Sequence, residues 1–253
     1  MKTLLIIFLS LLVLPLGAGT LWSYNQGWPQ SWNSADWSAT GIAPHPEKNR
    51  EAIIQVYAAR AGRWKGILAV HTWILIKDKN ARSFTRYDVV GWGRPVRRNA
   101  FPVDGYWYSN TPEIIFELRG EKAGKLIPRI QKAVRRYPSS KRGDYRVWPG
   151  PNSNTFVAWI ARNIPELGLE LPPTAVGKDF LGSGFNWDTP PSGTGWQVSW
   201  NGVIGAALAP KEGFEFHMLG VTWGIDFQEW GIKIPSLGLL SIRKFISAPP
   251  RTS

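Results

Sequence analysis

The sequence predicts an α+β domain: an antiparallel sheet with two principal helices, followed by a Gly/Pro-rich β extension and preceded by an apolar N-terminal helix. Three observations carry this reading. A nearly continuous apolar, β-branched run covers residues 67–76. Two stretches after Glu121 carry apolar residues at helical spacing. Beyond Leu171 that spacing disappears and Gly and Pro become dense. Short unbroken apolar runs mark buried strands, and a 3.6-residue period marks helices. The division expected is an N-terminal segment at 1–22, a Trp-rich linker at 23–50, an α+β core at 51–170 and the β extension, packed on the core, at 171–253.

Taken in order, the chain opens with Lys2 and an apolar run from Leu4 to Leu16, extended without charge to Trp22. About twenty such residues suffice to cross a bilayer core. A basic start, an apolar stretch and small residues also suit a signal peptide. Leu16-Gly17-Ala18 fits the usual cleavage pattern poorly, so an uncleaved signal-anchor is expected. No Lys or Arg follows Lys2 until Lys48. The positive-inside rule therefore puts the rest of the chain outside a bacterial inner membrane, in the periplasm. Trp22, Trp28, Trp32 and Trp37 come next; they suit either a membrane interface or packing on the domain.

Strand-like runs at 53–58, 67–76, 84–90 and 113–118 make up the sheet, the second central and the third its neighbour. From Glu121 to Tyr137, Leu126, Ile127, Ile130, Ala133 and Val134 form one helix face and basic residues the other. Pro149-Gly150-Pro151 breaks the chain. Asn152 or Ser153 then caps a second helix striped by Phe156, Val157, Ile160 and Ile164. In the extension, 196–200, 214–218, 232–234 and 239–242 read as strands.

Thirty Lys and Arg against eighteen Asp and Glu give a net charge of +12. Such a chain is drawn to anionic surfaces. With an N-terminal anchor and no nucleic-acid-binding motif, the expected partners are the membrane and anionic lipid or cell-wall glycan, not nucleic acid. Lys125, Arg129, Lys132 and Arg136 on the first helix are the candidate anion-binding residues; a solvated helix face explains the same pattern. Cysteine is absent, which removes disulfides, thiolate metal sites and a cysteine nucleophile. The three histidines, His45, His71 and His217, share no metal-ligand spacing, and no phosphate loop or G-x-S-x-G elbow occurs. No metal and no cofactor is expected.

One constellation suits chemistry. His71 lies in the central strand, and Ser153 lies at a helix start, where the helix dipole and free N–H groups favour a developing negative charge. An N-cap serine and a core histidine give the same sequence.

The segments His71-Thr72-Trp73-Ile74, 87–93 and 150–156 resemble an uncharacterised bacterial envelope family, domain of unknown function 3750; Asp36-Trp37-Ser38 and 171–175 fit it too. More distantly, a strand-borne histidine, a second strand, a helix and then N-[C/S]-x-x-F at a helix start are similar to the circularly permuted papain-like fold of the NlpC/P60 peptidases and the lecithin:retinol acyltransferase-like proteins. That resemblance implies His71 as base and Ser153 at the nucleophile position, where those families carry cysteine. It implies a polar orienting residue on the second strand, Tyr87 or Asp88, with Asp88 favoured because a carboxylate also stabilises an imidazolium. Serine is harder to ionise than cysteine. The function expected is therefore a binding or structural module on that scaffold. The alternative is a Ser–His hydrolase or acyltransferase acting on an envelope amide or ester.

Overall fold

The computed structural model describes residues 2–25, 27 and 31–243, leaving out the side chains of residues 4–9, 11 and 12. Among them the chain is a mixed α+β protein with two antiparallel sheets and four α-helices. Helix α1 covers Lys2–Asn25. Strands β1 (Ile53–Arg60), β2 (Val70–Lys77), β3 (Thr85–Val89), β4 (Val96–Arg98) and β5 (Glu113–Arg119) form the first sheet, in the order β4-β3-β2-β1-β5. The 67–76 run is thus the central strand, but its first residues are spent on a short helix, α2 (Lys65–Leu68). The expected neighbourhood of β2 and β3 is present, with Ile74 opposite Tyr87 in the register.

Helices α3 (Glu121–Arg135) and α4 (Ser153–Asn163) cover one face of this sheet. Ile54, Val56, Ile74 and Ile76 meet Ile127, Ile130, Phe156, Val157 and Ile160 there, all buried. Burying a side chain of this size contributes about 1.5–3 kcal/mol. The opposite face is aromatic. Tyr57 and Trp73 stack at 5.4 Å and are covered by Trp107, Phe101, Trp37 and Tyr108. Trp32 and Trp37 join that cluster, 4.2 Å apart, so these two pack on the domain. Trp28 lies outside the described residues.

The second sheet has seven strands in the order β12-β11-β10-β9-β8-β7-β6: β6 (Phe185–Asp188), β7 (Trp196–Trp200), β8 (Ile204–Ala209), β9 (Gly213–Met218), β10 (Val221–Asp226), β11 (Gly231–Ile234) and β12 (Gly238–Ser241). Its inward face is polar. Buried Lys233 binds Glu215 (2.7 Å), Glu170 (2.7 Å) and the Glu212 carbonyl (2.8 Å). Lys178 binds the same Glu215 oxygen at 2.8 Å, and α4 sends Arg162 to the side chain of Gln197 at 3.1 Å. The extension is thus tied to the core by buried charge.

The expected membrane-spanning segment lies largely on residues 4–12, of which only Ser10 is described with its side chain. Among the described residues no helix is long and apolar enough to cross a membrane. The last turns of α1 belong to the folded body: Ser23 is buried, a Cβ on Gly19 would meet Ser236 Cβ at 2.5 Å, and Arg60 lies over Trp22 at 4.7 Å.

Candidate active site

His71 is the second residue of β2. Its side chain leaves the strand on the aromatic face, away from α4. Asp88 leaves β3 on that same face, because Tyr87 packs with the helical core and successive residues alternate. His71 Nε2 and Asp88 Oδ1 are 2.7 Å apart. The second carboxylate oxygen accepts from Arg86 Nε at 2.5 Å, and Arg86 Nη1 donates to the Pro102 carbonyl at 2.5 Å. The Arg86 guanidinium lies 4.0 Å over Trp73. The indole of Trp107 stacks flat on the imidazole, 3.7 Å between centroids and 6° between planes.

This surrounding sets the protonation states. Burial raises the Asp88 carboxyl, but the Arg86 guanidinium, then the His71 hydrogen bond, more than offset it and hold it below its ordinary value. For His71, burial dominates and lowers the imidazole; Asp88 pulls upward and Arg86 again downward. Burial outweighs the upward pull of Asp88, and the Arg86 charge adds a smaller push in the same direction as burial. An ionised Asp88 only accepts, so Nε2 carries the hydrogen of the neutral ring. Nδ1 is left with a lone pair. This is the form a general base needs.

Ser153 starts α4 without capping it. Asn152 caps instead: its Oδ1 accepts from the N–H groups of Asn154 (2.9 Å) and Thr155 (3.1 Å), and Thr155 Oγ1 accepts from the Asn152 N–H (3.1 Å). Gly177 must be glycine here, since a Cβ would meet Asn152 Nδ2 at 2.5 Å. Gly150, at φ +133°, lies against Thr155 and Phe180 in the same way. Among the described residues the Ser153 hydroxyl makes no hydrogen bond, and its N–H, at the first helical position, has no preceding carbonyl to bind. Asn154 holds this helix end against β2 on both sides of His71. Its Nδ2 donates to the Val70 carbonyl (3.0 Å), and its Oδ1 accepts from Thr72 Oγ1 (2.9 Å). Asn154→Ala is expected to cost about 1–3 kcal/mol for each buried group left unpaired, checked by chemical denaturation.

His71 and Ser153 line one cavity of about 530 Å³. Its wall is largely apolar, with Trp64, Leu68, Trp92, Tyr108, Trp148 and Leu219 on it. Tyr145 also lines it, and burial pushes its phenol up to about 12, so it stays protonated. No hydrogen bond joins Ser153 to His71 in this state; such contacts commonly tighten when substrate is bound. Asp88 lies behind His71. A second cavity, of about 480 Å³ beside Tyr137 and Arg162, contains none of the three residues.

The other sequence candidates stand apart from this cavity, on α3. Lys125 pairs with Glu121 and Arg129 with Glu166, each at 2.5 Å. Lys132 and Arg136 are exposed. Among the described residues no His/Asp/Glu group is arranged to hold a metal ion. Sequence reasoning missed Arg86, Asn154 and Trp107. Arg86 was reachable, lying two residues before Asp88 and so on the same strand face. Trp107 lies in a distant loop and left no local signal.

The fold and site together define an α+β protein with a buried Arg–Asp–His relay that opens, beside a helix-borne serine, on an apolar cavity. A family model described as a protein of unknown function, DUF3750, matches residues 51–180, just over half of the chain, and the chain belongs to that family. The matched segment contains His71, Arg86, Asp88, Trp107 and Ser153. No curated protein and no solved structure matches the chain.

Proposed function

We propose that the protein is a serine acyl hydrolase or acyltransferase acting on an ester or amide with an apolar acyl group, on a permuted papain-like scaffold. One observation carries this: a histidine held neutral by burial, with its Nε2–H tautomer set by Asp88, opens on the same cavity as a serine whose hydroxyl is not used for capping. A thiolate–imidazolium pair needs a charged ring. A Ser–His pair needs a neutral one at the moment of attack. The burial of His71 therefore suits serine at this helix position, and the Arg86 charge acts in the same direction.

In the reaction Ser153 Oγ attacks the carbonyl carbon and its proton passes to His71 Nδ1. The Ser153 N–H, at the positive end of α4, faces the developing oxyanion. The C–O or C–N bond breaks as His71 returns the proton to the leaving group, giving an acyl-serine. Water, or an acceptor hydroxyl or amine, then gives its proton to His71 and takes the acyl group, and His71 passes that proton to Ser153 Oγ as the acyl C–O bond breaks. The wall of Trp64, Leu68 and Trp148 favours a long acyl chain over acetyl.

The test is hydrolysis of p-nitrophenyl esters of increasing chain length by the full chain. Octanoate is expected to exceed acetate in kcat/KM, and Ser153→Ala and His71→Ala to lose both activities while keeping their far-UV spectra. Turnover that persists in folded Ser153→Ala would remove the proposal. The binding-module reading rests on Lys132 of α3 and Arg136 just after it, both exposed; folded but inactive wild type would leave it as the account of the protein.

A further inference from the structure

The seven-stranded sheet is inverted. An antiparallel sheet with one solvated face ordinarily turns its apolar residues inward and its polar ones out. Here Gln197, Ser199, Glu215, His217, Asp226 and Lys233 point inward and are buried. The outer positions are apolar. In the register, Trp196 faces Leu208, Leu208 faces Phe214, Phe214 faces Ile225, Ile225 faces Ile232 and Ile232 faces Leu240. These six cross-strand neighbours form one row over six strands, 39–59% exposed. At about 4.8 Å per strand the row runs roughly 24 Å. A parallel row, Trp187, Val198, Ala206, Phe216 and Trp223, lies beside it. Neither row holds a charged residue. Exposed apolar patches of this extent mark an interaction surface.

We infer that this face docks on a lipid bilayer, lying at the headgroup–acyl boundary. Apolar-out, polar-in alternation is the pattern of sheets that face lipid. Strands of four to six residues are too short to span, since about 9–11 are needed, so the face rests on the bilayer instead of crossing it. Trp187 and Trp230, 79% and 74% exposed, are of the type that settles at a membrane interface. The apolar N-terminal sequence meets the body at this sheet, where Gly19 of α1 packs on Ser236 in the β11–β12 turn. The net charge of +12 favours an anionic membrane surface. None of this depends on the chemistry of Ser153.

The absence of cysteine allows single labels. The full chain carrying Ile232→Cys or Ile225→Cys, each coupled to an environment-sensitive nitrobenzoxadiazole dye, is mixed with phosphatidylcholine–phosphatidylglycerol vesicles. Lys125→Cys on α3 is the control. Flotation would not separate the sheet from the apolar N-terminal sequence, so depth is read instead. Both sheet dyes are expected to shift to the blue, to be quenched several-fold more by acyl-chain spin labels than the Lys125 dye, and to escape iodide. Quenching by iodide equal to that of the control overturns the inference. So does shielding from both quenchers, which would mean that a protein, such as a second copy of this chain, covers the face.

Discussion

Asp88→Asn is expected to lower the acylation rate by roughly 10³–10⁴-fold, the scale seen when a triad carboxylate is made an amide. The reason lies in Arg86. Its Nε donates to Asp88 Oδ2, so the amide that replaces the carboxylate must turn its oxygen toward the guanidinium. The NH₂ group then faces His71 Nε2, which becomes the acceptor. The ring hydrogen moves to Nδ1, the nitrogen that the proposed mechanism uses as base, and the base is lost. The substitution also leaves a buried guanidinium without its counter-charge, which costs about 3–5 kcal/mol. The pH profile separates the two effects. Burial holds wild-type His71 below its ordinary value, so the acid limb of acylation lies below about pH 6.5. Removing the positive charge with Arg86→Gln is expected to shift that limb upward in whatever fraction remains folded. The stability linked to neutral His71 is present above about pH 6.5, the unfolded value, and is lost as pH falls through the lower folded one.

Glu215→Ala is expected to be the most damaging single change outside the site, at about 3–5 kcal/mol or complete loss of the second sheet. It leaves Lys178 and Lys233 buried and short of a common partner. Burial acts to raise Glu215, but the two ammonium groups overcome it and hold the carboxyl at about 2. That stability is fully present above the ordinary glutamate value of about 4.3 and is lost as pH falls through about 2. Chemical denaturation with limited proteolysis of the 181–243 region checks this. Replacing Glu215, Lys178 and Lys233 together by apolar residues of similar size is expected to recover only part of the loss, because Glu170 and Asp226 then lose the Lys233 ammonium.

The core was legible because its signals are local. Unbroken β-branched runs gave β1 and β2, and the stripe from Leu126 to Val134 gave α3 within two residues of its end. The cap at Asn152, Asn154 and the chain Arg86–Asp88–His71 depend on which segments meet in space; Asn152 was one of two cap candidates, His71 stood out on the central strand and Asp88 came through a family resemblance, while Asn154 and Arg86 were not picked out. The extension was harder for a physical reason. Its strands are short, β6, β8 and β10 went unread, and its alternation carries no sign of which face is inward. Ordinary patterning would bury Trp196 and Trp200 and expose Glu215 and Lys233. The structure does the reverse, because the inner face pairs its charges with Glu170 at the end of the core and with Lys178 in the segment that follows it. At the N-terminus the apolar run is legible in the sequence, whereas the contacts by which Gly19 and Ser23 carry the end of α1 into the folded body are not.

The account stands most directly on whether Ser153 is an activated nucleophile. The measurement is reaction of the full chain with a long-chain alkyl fluorophosphonate, followed by peptide mapping in a mass spectrometer. The account predicts one adduct, on Ser153, formed in wild type and absent from folded His71→Ala. An adduct on another serine, or none on well-folded wild type, would contradict it.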